Sequence, residues 1–134
     1  MAEEPEELDL AAALGAEAGY STQCFALYVP NRDREGAESG TQHTWVFEAL
    51  RLLAEVNGGA TATPPLEGAW LSDTGAIVIE NPVIVYSFVR TEAFLQGLPR
   101  IREFLHRMAR ETRQGEIAFT FDGQFFRILQ FDNG

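Results

Sequence analysis

Between Thr91 and Gly115 the large apolar groups return at helical intervals: Ile101, Phe104, Leu105, Met108 and Thr112 fall at i, i+3, i+4, i+7 and i+11. That spacing builds a helix with a single buried face, which needs another layer to cover it. Thr91 marks the entry, Pro99 suits the first position of the main helical segment, and Gly115 ends it. The period then changes. Ile117, Phe119 and Phe121 alternate with Ala118 and Thr120, and Asp122-Gly123 is a two-residue hairpin signal ahead of a returning strand over residues 124–131. Such a turn pairs Phe119 with Phe126 and Ile117 with Ile128 on the side facing the helix. Its other side carries Thr120, Phe125, Leu129 and Phe131, with Arg127 among them. Large apolar groups on that side predict cover by another segment or by a second subunit.

The preceding chain supplies the remaining layers. Residues 20–29, ending at Pro30, read as a first strand, and residues 31–40 as a polar loop. Thr41 or Thr44 can cap a helix running to Asn57, with Trp45, Ala49, Leu52, Leu53 and Val56 on its apolar stripe and Asn57-Gly58-Gly59 as its stop. An extended edge segment over residues 60–65 and a hairpin turning at Ser72-Asp73-Thr74-Gly75 come next, then the apolar run of residues 83–89. A run so apolar on both faces predicts a central strand covered on both sides. The order is the β-α-β-β-α-β plan of an α+β, ferredoxin-like fold: an antiparallel sheet, two helices on one face and an extra C-terminal edge strand.

Charge divides the chain in the same way. Residues 1–19 hold six acids and no base, which predicts an acidic, flexible tail ahead of one domain over residues 20–134. A docking alternative places Leu10 and Leu14, one helical turn apart, in a groove. Twenty acids against ten bases, all arginine, disfavour direct nucleic-acid binding. They also leave open an acidic inhibitor that imitates nucleic acid. No apolar run is long enough to span a bilayer, and the N-terminus lacks a secretory pattern, so a cytoplasmic protein without membrane contact is expected. One cysteine, Cys24, and two histidines make no metal set, and no cofactor motif is present; Asn57-Gly58-Gly59 follows a helix, whereas phosphate loops precede one.

Two constellations carry chemistry. Arg102, His106, Arg110 and Arg113 fall on one edge of the second helix, a pattern able to hold a carboxylate, a phosphate or an acidic partner segment. Against this stands an ordinary solvated face in which Arg107 pairs with Glu103 and Glu111 at one-turn spacing. The second constellation is a pocket between sheet and helices, closed by the loop of residues 30–40, with His43 as general base and Trp45, Trp70 and Tyr86 as walls.

The segments Tyr28-Val29-Pro30-Asn31, Asn57-Gly58-Gly59-Ala60-Thr61-Ala62, Gly68-Ala69-Trp70-Leu71 and Asn81-Pro82-Val83-Ile84-Val85-Tyr86-Ser87 resemble a group of small uncharacterised bacterial proteins, over residues 25–128. The resemblance implies a bacterial origin and a single domain, and transfers no site residue. The plan is also similar to that of dimeric ferredoxin-like barrels, small monooxygenases among them, by architecture alone. The reading that follows is a non-enzymatic, cytosolic homodimer that binds a protein or anionic ligand, paired through Phe125, Leu129 and Phe131. It contacts its partner through the acidic tail or the arginine edge. The alternative is a small enzyme using the pocket.

Overall fold

The computed structural model describes residues 9–19 and 21–133. Glu3, Glu4, Glu6 and Glu7 of the acidic segment, and Tyr20 at the start of the expected first strand, lie outside the described residues. A short helix α1 (Leu10–Leu14) is capped by Asp9, whose carboxylate accepts the Ala12 N–H at 3.0 Å, and ends on Gly15 in the left-handed region. Leu10 and Leu14 are exposed on it.

From there the elements run β1 (Cys24–Val29), α2 (Gln42–Asn57), β2 (Thr61–Ala62), β3 (Gly68–Leu71), β4 (Ile77–Glu80), β5 (Val83–Phe88), α3 (Thr91–Glu111), β6 (Ile117–Phe121) and β7 (Gln124–Ile128). Five strands form an antiparallel sheet in the order β2-β5-β1-β6-β7. This is the ferredoxin-like α+β plan, with β7 as the added edge strand. The alternation in β1 explains its central place: Phe25, Leu27 and Val29 are buried against the helices, and burying each such side chain stabilises by roughly 1.5–3 kcal/mol. The stripes of both helices meet there. Trp45, Ala49, Leu52, Leu53 and Val56 of α2 are buried, as are Ile101, Phe104, Leu105, Met108 and Thr112 along α3. The C-terminal hairpin takes the expected register, Phe119 opposite Phe126 with rings stacked 4.9 Å apart, and Ile117 opposite Ile128.

Three expectations need correction. β5 lies between β2 and β1 and is buried on one side only; Ile84, Tyr86 and Phe88 point away from the helices, and Phe88 is exposed. Its apolar outer face therefore has no cover within the chain's helices. Pro99 does not open a helix but sits inside one continuous 21-residue helix. It has no N–H to give the Leu95 carbonyl, and Leu95 lies on the exposed side where that loss is least costly. The hairpin of residues 68–80 does not join the main sheet: β3 and β4 form a separate two-stranded ribbon, turned by Ser72 and Gly75.

Close contacts fix the helices and loops in place. Gly97 of α3 lies against Val56 of α2, where a Cβ would fall 2.9 Å from both valine methyls. At the end of α2, the side-chain oxygen Oδ1 of the buried Asn57 accepts the Arg90 N–H at 3.2 Å, tying α2 to the start of α3. Residues 31–39 are stitched to themselves by the Asp33 carboxylate, which accepts the Glu35 and Ala37 N–H groups at 2.8 and 3.0 Å. Those two bonds hold the Asp33 carboxyl below its ordinary range. The loop is also bound to the end of α3, through the Arg34 N–H on the Arg113 carbonyl at 3.0 Å and the Gln114 amide on the Arg32 carbonyl at 2.7 Å.

Candidate functional site

Three of the four residues expected on the arginine edge of α3 converge on Asp132. Arg102 grips the Asp132 carboxylate with a forked pair of bonds at 2.8 and 3.0 Å, and Arg110 donates to the Asp132 carbonyl. His106 is buried rather than outward-facing, and its Nδ1 accepts the Asp132 N–H at 2.7 Å. The Asp132 carboxylate lies farther from that nitrogen, at 3.5 Å, so the backbone amide is the closer partner of the ring. Phe131 packs edge-on against the same ring, with centroids 6.2 Å apart. The Arg102 guanidinium holds the Asp132 carboxyl below its ordinary range. The anion on this edge is thus the chain's own Asp132.

Arg113 leaves the group. The helix ends at Glu111, Arg113 takes a left-handed conformation, and its guanidinium reaches Glu35 of the loop at 3.8 Å. Helical spacing stops applying once the helix has ended. On the neighbouring face, Arg107 pairs with Glu48 at 2.8 Å, Glu103 at 3.4 Å and Glu111 at 3.6 Å, and lies 5.0 Å over the Trp45 ring. The shallow groove of about 310 Å³ between α2 and α3 is lined by this network and by the pairs Glu55 makes with Arg51 and Arg100. Its charges answer one another across the two helices.

The four residues of the expected pocket are dispersed. Trp45 is in the core, edge-on to Phe104 at 5.9 Å. Tyr86 is on the opposite, uncovered face of the sheet, Trp70 is on the β3–β4 ribbon, and His43 is exposed at the start of α2, 4.7 Å from the Phe47 ring. The layer between sheet and helices is filled by the core side chains. His43 instead borders a cleft of about 390 Å³ at the margin of the sheet, within the size range of small-molecule sites.

Its walls come from four parts of the chain: Asn31 and Glu38 from the loop, Gly40, Gln42 and His43 from the start of α2, Pro65 from the segment after β2, and Asn81 from the β4–β5 turn. Amide side chains hold these parts together. The Gln42 amide donates to the Val29 carbonyl at 3.1 Å and the Asn81 carbonyl at 2.8 Å. The Asn31 side-chain oxygen accepts the Asn81 N–H at 3.0 Å, and the Asn81 amide donates to the Leu66 carbonyl at 3.1 Å. The loop of residues 30–40 therefore forms a fixed wall here. These amides were missed in the sequence because each acts across 13 to 50 residues. Among the described residues, no group of three or more His, Cys, Asp or Glu side chains is placed to hold a metal ion.

Neither the family models nor the curated protein sequences contain a match to this chain. The fold has solved counterparts. A phage SAM lyase in complex with S-methyl-5'-thioadenosine superposes with a TM-score of 0.61 at 11% identity, covering 85% of this chain and 94% of the other. The apo form of a phage SAM lyase gives a TM-score of 0.58 at 12% identity with the same coverage. A divalent cation tolerance protein, Cut A1, from Thermus thermophilus gives a TM-score of 0.39 at 13% identity over 61% of this chain. The expectation of a non-enzymatic binding or regulatory module is corrected at this point. The architecture it was built on is one carried by an enzyme, and the arginine edge meant for its partner is taken by Asp132.

Proposed function

We propose that the chain is a small enzyme of the ferredoxin-like α+β class acting on an adenosyl sulfonium compound of the S-adenosylmethionine type. The observation that carries this reading is the architecture shared with the phage SAM lyase over 85% of the chain. Charge supports it. S-adenosylmethionine is a net cation without phosphate, which suits a chain of formal charge −10 that has no phosphate loop and no base between Arg51 and Arg90. The cleft beside His43 is the catalytic candidate. Glu38 offers a carboxylate to a cationic group or to ribose hydroxyls, and the imidazole of His43 is the side chain there suited to proton transfer at neutral pH. In the balanced step His43 takes a proton from the carbon next to the sulfonium-bearing one, that C–H pair becomes the new C=C bond, and the C–S bond breaks with its electron pair on sulfur, releasing a neutral thioether and an alkene fragment.

The test is incubation of the full chain with S-adenosylmethionine and detection of S-methyl-5'-thioadenosine by mass spectrometry. Enzyme-dependent thioadenosine is the expected result, and its absence over a range of pH overturns the proposal. In the same assay His43→Ala is expected to lower turnover by about 100-fold or more. Full turnover in that variant would remove His43 while leaving the enzyme reading in place.

The working form is a homodimer or larger self-assembly joined through the uncovered face of the sheet. Strand register puts Ala26, Tyr28, Ile84, Tyr86 and Phe125 on that face, with the Tyr28 and Phe125 rings edge to face at 6.4 Å. Phe131, expected in the same contact, is turned toward the helices, where it packs on the core and on His106.

A further inference from the structure

The β3–β4 ribbon leaves its large apolar side chains open to solvent. Its register sets Ala69 opposite Ile79 and Leu71 opposite Ile77, so one face of the ribbon is wholly aliphatic. Leu71, Ile77 and Ile79 are 66%, 64% and 57% exposed, and among the described residues no other helix or strand makes an extensive contact with the ribbon. The ribbon is nonetheless well formed. The Ser72 N–H bonds the Ala76 carbonyl at 2.8 Å across the turn, and at the base the Leu66 N–H bonds the Pro82 carbonyl at 2.8 Å. A firm two-stranded arm with one greasy face is unstable in water unless something covers it.

We infer that a second copy of this chain covers it, the ribbon of one copy lying on the uncovered sheet face of another. This rests on the self-association proposed above and names the surfaces it joins. Area supports the choice. Leu71, Ile77 and Ile79 on the aliphatic face of the ribbon, with Phe88, Phe125 and Leu129 at the sheet, are each more than half exposed. Taking ~200 Å² for a whole large side chain, they leave on the order of 700 Å², close to one partner's share of a standard stable interface.

Charge excludes the other obvious occupant. The ribbon and its flanks hold Glu67, Asp73 and Glu80 and no base, so an anionic membrane surface would repel it. Copies of a chain with charge −10 also repel one another at long range, and association therefore needs contact surfaces without charge. Both surfaces meet that condition, with Arg127 at the edge of the sheet face already paired to Glu116 at 3.2 Å. The two surfaces differ in shape and composition, so every copy both gives a ribbon and receives one, in a reciprocal dimer or a closed ring.

Light scattering coupled to gel filtration tests this on the full chain, as wild type, as Leu71→Asp/Ile79→Asp on the ribbon, and as Phe125→Asp on the sheet. The expected result is a wild-type mass at a multiple of the chain and monomer mass for both variants, with association weakened about 100-fold or more by the buried carboxylates. A monomeric wild type overturns self-association altogether. A ribbon variant that keeps the wild-type mass while Phe125→Asp dissociates overturns the ribbon inference alone. If neither variant dissociates, both surfaces are removed. Loss of helical circular dichroism in the ribbon variant would place that face in the monomer's own fold and overturn the inference as well.

Discussion

The contact of Gly97 with Val56 sets how closely α3 approaches α2. A methyl at position 97 meets two branched, buried methyls at 2.9 Å, and overpacking of this kind costs about 1–3 kcal/mol. The gain in helix propensity from Gly to Ala returns about 1 kcal/mol. Gly97→Ala is therefore expected to lower the denaturation midpoint, and Val56→Ala in the same chain to relieve most of the clash; urea titrations of the two single variants and the double variant measure that coupling. His106 offers a second residue-scale test. Removing its ring takes away the acceptor of the Asp132 N–H and the surface on which Phe131 packs, a loss of about 1–3 kcal/mol. His106→Ala should destabilise the fold and expose residues 129–133 to carboxypeptidase faster than wild type, as read by intact mass.

At the scale of elements, the loop of residues 30–40 behaves as a wall because Asp33 accepts two of its amides. The Asp33 carboxyl is held below its ordinary range, so its contribution is complete above the unfolded-state value and is lost as pH falls through the lower native value. Amide exchange at Glu35 and Ala37 is expected to stay slow down to that pH and to be fast at neutral pH in Asp33→Ala. Asp132 follows the same sign, since its bond to Arg102 depresses its own carboxyl, and the C-terminal latch should survive to acid below the ordinary carboxylate range. Both helices, the C-terminal hairpin and its register were legible because each depends on neighbours a few residues away. Pro99 was misplaced because packing of Phe94 and Gly97 on one side of it, and of Ile101 on the other, outweighs one missing bond.

For the whole molecule, the pattern of periods and turns was enough to determine an α+β, ferredoxin-like sheet with two helices on one side and an added edge strand. Each of those features comes from local alternation and from short connections. The candidate site was less legible. His43 was singled out by residue type, yet its companions in the cleft are Asn31, Gln42 and Asn81, whose amides bond backbone groups far along the chain. The arginine edge could be read from helical spacing, but its occupant Asp132 could not, because a terminal aspartate carries no local sign of where it folds back. If the ribbon and the sheet face meet between copies and the assembly is the working form, activity on S-adenosylmethionine should fall on dilution below the dissociation constant, which a rate measured against protein concentration would show. Sequence alone determined which segments are helix and strand, and which of their faces are apolar. Tertiary structure alone decided that β3–β4 stands apart from the sheet, that β5 is open on one side, and that the α3 edge is filled from within. Those outcomes depend on which distant segments compete for the same surface, and local periodicity holds no record of that competition.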